Sequence, residues 1–389
     1  MSANTPQRHY IWQHAAWPAW EYDSEAIAIS LSQARLRQGR VLGKAQSIGM
    51  AEDALAQVVN GIWVREVMAT AAIEGQHLDF DQVRSSVMRK IGIAGTVPSP
   101  RHVDGLVDVM HDALQNFSVP LDADRLCRWQ SALFPGGTSG IVRIEVGQFR
   151  TFTDPMQIVS GRPGKEVVHY RAPDSASVPR EMSQFLAWFN APCPADGIVR
   201  AAIAHLWFET VHPFEDGNGR IGRAILDMAI AQDAQSPVRL YSISRQLQEN
   251  RAAYYAALNA AQTGSLDITA WIAWFADQFG AACVKSESLI DEALRKARYW
   301  GTHAASTFSE RQRKVLQKLL DAGDGGFLGG LTAEKYCKIT GASKATATRD
   351  LGDLLFKEAL ISRGIGKATK YFINVPGWQH LEVAQGGDE

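Results

Sequence analysis

Apolar residues recur at helical spacing through most of this chain, and the pattern breaks at a few informative places. Across Ala201–Val211, Ile203, Leu206, Trp207 and Val211 fall on helical intervals. Pro213 ends that run, because a proline pushes the residue before it out of the α region. Phe214–Gly219 is then a short acidic, glycine-rich loop. From Arg220 a second helical pattern carries Ile221, Ala224, Ile225 and Met228 on one face. Upstream, Ile27, Ile29, Leu31, Ala34, Leu36, Val41 and Leu42 predict one long helix after Ser24. Leu55, Val58, Val59, Ile62, Trp63, Val67 and Ala71 form a clearer stripe over Asp53–Glu74, with Gly75 in the position that follows a helix end. Asp79–Lys90, Val103–Leu114, Ala123–Leu133 and Val178–Asn190 continue the helical pattern. Thr96–Pro100 and Pro135–Gly140 are loops, the latter expected near the central turn.

The period changes in Gly147–Pro173. Two extended runs, Met156–Ser160 and Glu166–Tyr170, flank Gly161–Lys165 and predict a β-hairpin with a five-residue loop. Helices are expected again at Ser242–Ala261, Ile268–Phe279 and Ser286–Thr307, the last as a connector. Beyond it come helices at Arg311–Leu320, Thr332–Thr340 and Ser343–Phe356, then strands at Leu360–Arg363 and Lys370–Ile373. Near the N-terminus, Met1–Arg8 reads as a loose tail. His9–Asp23 packs three Trp and two Tyr around Pro18, a lid strapped onto the core in preference to a peptide-binding surface.

Composition narrows the picture. A chain of 389 residues can bury a sizeable core in two or three domains. A net charge of −1 gives no global attraction to nucleic acid or an anionic membrane. Four cysteines without CxxC or His-linked spacing exclude a disulfide framework and fit a reducing cytoplasm. No apolar run approaches the ~20 residues a membrane span needs, and the polar N-terminus has no hydrophobic signal segment. Beyond the connector the composition turns basic, with twelve basic residues against seven acids across Thr307–Val375.

The central stretch gathers chemistry. Helix starts and glycines favour close approach of an anion such as phosphate. Arg220 and Arg223 are neighbours on a helix surface, and a guanidinium fork suits phosphate oxygens. Asp216 is a hard oxygen ligand for a Mg²⁺ that also takes phosphate oxygens. His212 can accept a proton near neutral pH. Such a site grips a polyphosphate and deprotonates what attacks it. Gly164-Lys165 lacks the spacing and hydroxyl of a P-loop.

The string His212-Pro213-Phe214-Glu215-Asp216-Gly217-Asn218-Gly219-Arg220-Ile221-Gly222-Arg223 resembles the Fic signature HPFx(D/E)GNGRxxR at all nine specified positions. The resemblance implies AMP transfer from Mg-ATP to a Ser, Thr or Tyr hydroxyl of a protein. It implies His212 as base, Asp216 as Mg²⁺ ligand, and the backbone of Gly217, Asn218 and Gly219 as phosphate cradle. Arg220 and Arg223 would balance the departing charge. Thr70–Gly75 is similar to the family's inhibitory pattern (S/T)xxxE(G/N), which implies that Glu74 reaches Arg223 in a bidentate pair. Tyr254 and Tyr255 resemble the wall for adenine and ribose, with a buried core pair as the alternative, and Gln262 stands where some relatives have Asn. The hairpin resembles the flap that holds a target strand. Gly147–Arg150 looks like the family's GxFR, and Arg150 could equally be a structural salt-bridge partner.

The fold implied is mainly α: a Fic-type helical core with a β-hairpin flap, plus a C-terminal segment that resembles a winged helix-turn-helix. Expected boundaries are 1–110 for an N-terminal helical region with the inhibitory helix, 111–285 for the core, 286–306 for a connecting helix and 307–378 for the winged helix. The partners implied are ATP, a target protein with the chain itself among the candidates, a second copy as homodimer, and DNA or a docking protein at 307–378. No membrane is expected. Removal of AMP, transfer of another phosphate-containing group, and a nucleotide-sensing DNA-binding regulator stay open.

Overall fold

The computed structural model describes residues 9–47, 52–93, 97–160, 167–323, 327 and 329–378. The tail to Arg8, Thr96 and the hairpin loop at 161–165 lie outside these. Fourteen helices and six strands are seen among the described residues. α1 (Ser24–Ser47) starts where Asp23 accepts from the main-chain N–H groups of Glu25 and Ala26. α2 (Glu52–Ile73) closes at Gly75, whose φ of +77° suits a residue without Cβ. Asp79 caps α3 (Phe80–Lys90), and Asp122 caps α5 (Ala123–Leu133) after α4 (Arg101–Gln115). α4 and α5 touch at Gly105, where a Cβ would lie 1.8 Å from the carbonyl oxygen of Ala132.

The expected loop after α5 holds a small hairpin instead, β1 (Thr138–Ser139) paired antiparallel with β2 (Val142–Arg143). Two-residue strands are too short to leave an alternating pattern. β3 (Gln157–Ser160) and β4 (Val167–Arg171) pair antiparallel, with a register shift between Ile158 and Val159. α6 (Val178–Asn190), α7 (Gly197–Val211) and α8 (Asn218–Ala234) follow. α8 begins two residues before the expected Arg220, because Gly217 at φ +91° serves as its cap. Both α7 and α8 are buried nearly all round, so the one-faced reading of α8 was too narrow.

Ser242–Ala261 divides at Asn250 into α9 (Ile243–Glu249) and α10 (Arg251–Gln262). The two helices expected at Ile268–Phe279 and Ser286–Thr307 are one, α11 (Thr269–Thr302). A lone glycine does not stop a helix. Gly280 instead gives room to α1, since a Cβ there would lie 3.0 Å from the Arg37 guanidinium.

Contacts divide the chain into two compact units. The first holds Ala56–Glu287 together with the N-terminal segment through Ser47; the second holds the residues from Ser288 on together with the stretch that ends at Leu55. In the first, α7 and α8 form the centre, with α4, α5, α6 and α10 packed around them. The aromatic segment at 9–23 is strapped to this core. Tyr10 meets Tyr170 edge-on, Trp12 Nε1 donates to Arg171 O at 2.9 Å, and Trp17 Nε1 donates to Glu181 at 2.8 Å. Trp17 and Trp20 both lie against Trp207 of α7.

The second unit is built from α12 (Glu310–Asp321), α13 (Ala333–Thr340), α14 (Lys344–Phe356), β5 (Leu360–Arg363) and β6 (Lys370–Ile373). β5 and β6 pair antiparallel, and Leu331 bridges to Tyr371. Val315, Leu316, Leu320, Tyr336, Leu351 and Leu354 fill its centre, where Tyr336 donates to Asp350 at 2.8 Å.

A buried charged cluster ties α2 to the first unit's centre. Arg239 sits 2.8 Å from Asp227 of α8 and 3.5 Å from Glu66 of α2. Glu66 also accepts from Ser242 Oγ at 2.5 Å and from Ser244 N at 3.1 Å. Removing one member of a buried ionic cluster strands the others, at a cost of about 3–5 kcal/mol. Arg239→Met should therefore lower the stability to urea by roughly that amount at neutral pH. The loss should shrink on acidification, since burial already raises Asp227 to about 6. A variant with an unchanged urea midpoint would contradict this.

Candidate active site

The site is made where α7 hands the chain to α8. His212 ends α7 in the left-handed region, at φ +51° and ψ +61°. Pro213 forbids a further helical residue, and a non-glycine residue holds such a conformation only when its surroundings fix it. Arg150 does the fixing. Its Nε donates to His212 O at 2.8 Å, its Nη2 to Pro173 O at 2.5 Å and to Val211 O at 3.3 Å, and its main-chain N–H to Pro213 O at 2.8 Å. No acid pairs with it among the described residues, so Arg150 is a carbonyl clamp and not a salt-bridge partner. Burial lowers its pKa to about 10, which leaves it a cation at neutral pH.

The His212 ring is mostly enclosed, at 13% exposure. Its Nδ1 lies 3.4 Å from the main-chain oxygen of Glu209 and 3.8 Å from Glu209 Oε2. Burial first, and Arg150 second, push its pKa down to about 4. The neutral ring therefore keeps one nitrogen as acceptor, and no hydrogen bond engages Nε2 among the described residues.

Asn218 staples the turn: its side chain accepts from Phe214 N at 2.9 Å and donates to Phe214 O at 2.7 Å. That side chain is structural, whereas the main-chain N–H groups of α8's first turn have no intrahelical partner. Asp216 accepts from Gly217 N at 2.6 Å and from Ser139 Oγ on β1, and lies 3.7 Å from Arg220. The Asp216 side chain stays 40% exposed. No cluster of three or more His, Cys, Asp or Glu able to hold a metal occurs among the described residues. A single exposed carboxylate with spare lone pairs suits Mg²⁺, which takes its other ligands from phosphates and water.

Both arginines of α8 are met by the end of α2. Arg223 Nε donates to Thr70 Oγ1 at 2.7 Å, and Nη2 donates to Thr70 O at 3.0 Å and Glu74 Oε1 at 2.7 Å. The ion pair with Glu74 is thus one-pronged, not bidentate: Thr70 takes Nε–H and shares Nη2 with the carboxylate. Arg220 lies over the Phe134 ring and donates to Gln76 at 3.2 Å. Glu74 Oε1 rests so close over α8 that a Cβ on Gly219 would come within 2.2 Å of it. Burial works against the Glu74 charge, yet Arg223, supported by Arg220 and His212, holds its pKa below the ordinary value.

The two tyrosines divide. Tyr254 is a core residue whose hydroxyl sits 2.8 Å from His205 Nε2, while Tyr255 is 37% exposed beside it. Gln262 is buried, its amide 3.5 Å from Thr210 Oγ1. Sequence reasoning missed Ser139, Gln76 and Glu209. The first two left no signal, being single polar residues in a two-residue strand and a loop. Glu209 lies one helical turn before His212, and that spacing could have found it.

Residues 120–230 match the Fic/DOC family. The chain carries a Fic domain. Residues 10–93 match a second family, described as a domain of unknown function, DUF4172. The chain is 29% identical over 217 residues to protein adenylyltransferase fic-1 of Caenorhabditis elegans, which is 55% of this chain and 39% of that protein. It is 29% identical over 97 residues to a probable protein adenylyltransferase of Aquifex aeolicus, 25% of this chain and 28% of the other. The matches thus span well under half of these relatives. A Fic family protein from Desulfovibrio desulfuricans G20 shares the fold, with a TM-score of 0.54 at 19% identity over 91% of this chain and 97% of that one.

Inside the Fic domain, Glu209 is buried with Oε1 unpartnered, and burial pushes its pKa up to about 8. The titratable groups around it are His205 and His212 from α7, Arg223 from α8, Glu74 from the end of α2 and Tyr254 from α10. An ordinary glutamate ionises near 4.5. Between that value and about 8 the folded chain binds the extra proton, so stability falls as pH rises. Glu209→Gln lacks this loss. Its melting temperature relative to wild type should climb from about pH 5 to about pH 8 and then level off. A difference that does not vary with pH would mean that folded Glu209 is ionised.

Proposed function

We propose that this Fic domain is a protein adenylyltransferase that moves AMP from ATP to a Ser, Thr or Tyr hydroxyl of a protein, and that Glu74 holds it inhibited. One observation carries the reading. The first turn of α8, with Arg223 beside it, is an anion cradle, and the chain's own carboxylate lies over it, 2.7 Å from that arginine. A site formed for phosphate is closed by a phosphate's charge equivalent.

In the reaction, the target hydroxyl oxygen forms a bond to the α-phosphorus while the bond to the pyrophosphate oxygen breaks. His212 Nε2 takes the hydroxyl proton, for which a neutral ring is required. The N–H groups of α8's first turn receive phosphate oxygens; of the expected cradle, Gly217 N is already turned toward Asp216. Arg220 and Arg223 balance the charge that gathers on pyrophosphate. Mg²⁺ held by Asp216 would neutralise phosphate charge. Tyr255, with exposed ring surface, is the better of the two tyrosines to meet the nucleoside.

A charge-assisted hydrogen bond such as Glu74–Arg223 is worth about 2 kcal/mol, or about 30-fold in rate. Glu74→Gly should raise transfer of α-labelled AMP by that order, with folding preserved. Arg223→Ala should not mimic it, and His212→Ala should abolish transfer while ATP still binds. Equal rates for wild type and Glu74→Gly would remove the inhibitory role. Label lost from a premodified protein, without accumulation, would favour AMP removal.

A second reading concerns α14. Ser343, Lys344, Ala345, Thr348 and Arg349 are all exposed, while Ala347, Asp350 and Leu351 face the core. A helix with a small, polar and basic outer face suits a DNA groove, as expected of a winged helix. The full chain should bind duplex DNA with steep salt dependence, and Arg349→Ala should weaken it about tenfold or less. Absence of binding at low salt would leave protein docking as the role of this unit.

A further inference from the structure

Glu209 is a buried acid of the Fic domain's centre that neither the reaction above nor the Glu66–Arg239–Asp227 cluster uses. It stands on α7 one turn before His212, buried to 5% side-chain exposure. Its Oε1 has no hydrogen-bond partner and is pressed on Gly222, where a Cβ would lie 2.4 Å from it. Its Oε2 lies 3.8 Å from His212 Nδ1, and its main-chain oxygen 3.4 Å from the same atom. A buried polar group without a full set of partners is costly unless it serves the site. No guanidinium forms a salt bridge with it among the described residues; the Arg223 guanidinium is taken by Thr70 and Glu74 instead.

We infer that Glu209 is a positioning residue for His212: its main-chain oxygen accepts from Nδ1–H, and its carboxyl, facing the same atom at 3.8 Å, adds electrostatic attraction without a hydrogen bond, which together keep the acceptor lone pair on Nε2. The inference rests on His212 acting as the base of the proposed transfer. Which ring nitrogen of a histidine bears the proton is decided by the bond the other nitrogen makes. The main-chain oxygen alone, at 3.4 Å, is at the long end of hydrogen bonding. A second oxygen on the same side of the ring disfavours a tautomer flip. Burial keeps this carboxyl protonated at neutral pH, so it orients the ring without adding a charge that would hold the proton on it. After His212 accepts the target's proton, the ring is cationic. The Glu209 carboxyl then faces its Nδ1–H at the moment that charge exists.

The test uses the full chain labelled with ¹⁵N-histidine, with His212→Ala to assign the signal. Nitrogen shifts report the tautomer directly and need no turnover. Wild type and Glu209→Gln should both place the proton on Nδ1, while Glu209→Leu should show a mixture of tautomers. In wild type the His212 Nδ1 shift should also inflect near pH 8, and in Glu209→Gln it should not. That comparison decides the matter if Glu209→Leu does not fold. Combined with Glu74→Gly, Glu209→Leu should lower kcat about tenfold with KM for ATP unchanged, and Glu209→Gln should recover most of the loss. A single Nδ1–H tautomer in Glu209→Leu, or no inflection in wild type, would overturn the inference. Absent transfer in wild type and in Glu74→Gly alike would instead overturn the adenylyltransferase reading, leaving the tautomer result to judge Glu209.

Discussion

A buried guanidinium must be partnered, and Arg223 is buried. Its side chain is 3% exposed at the centre of the first unit, where an unpaired cation would be expensive. The chain provides the partners from α2: the Thr70 hydroxyl, the Thr70 carbonyl and the Glu74 carboxylate. Those three contacts dock α2 onto α8 and place an anion over α8's first turn. Fold and site are coupled here, since the group that a phosphate would need is also the group the resting chain must neutralise. Thr70 keeps two of these bonds whichever anion takes the third.

The second dependency is dielectric. α7 and α8 are buried on every side, so what they carry loses charge where it can: His205 and His212 fall to about 4 and Glu209 rises to about 8. A neutral histidine follows from the packing and needs no special partner. The arginines cannot respond in this way, because their protons leave only at extreme pH. They remain the fixed charges around which the acids are arranged.

How far this could be read from the sequence depended on how local each feature was. The turn from His212 to Arg223 was legible because residues a few positions apart make it, and helices α1 to α6 because their stripes are one-sided. The meeting of Glu74 with Arg223 was legible as a resemblance, but its single prong was not, since Thr70's share is a matter of three-dimensional approach. Arg150 was ambiguous for the same reason: carbonyl acceptors leave no trace in a sequence. The fusion of two expected helices into α11 turned on Gly280, whose role is set by Arg37 from another helix. The one-faced reading of α8 failed because a helix enclosed on all sides needs no polar face.

The cluster of Glu66, Arg239 and Asp227 bears on time as well as on energy. Lifting α2 as a whole would strand a buried arginine, so it is pinned at Glu66 and again at Thr70, while the Glu74 side chain just beyond it stays comparatively free: Glu66 is 1% exposed and Glu74 32%. With Glu66 and Thr70 both held, the part left to open is the Glu74 side chain. Side-chain rotation there belongs to the picosecond-to-nanosecond range, whereas undocking a helix takes microseconds or longer. If Glu74 inhibits as proposed, such a latch would flicker rather than swing. Its closed and open forms would re-equilibrate many times within a single turnover, so the resting chain would show a steady low leak instead of rare bursts. A ligand that favoured the open rotamer would act without delay and without remodelling the fold.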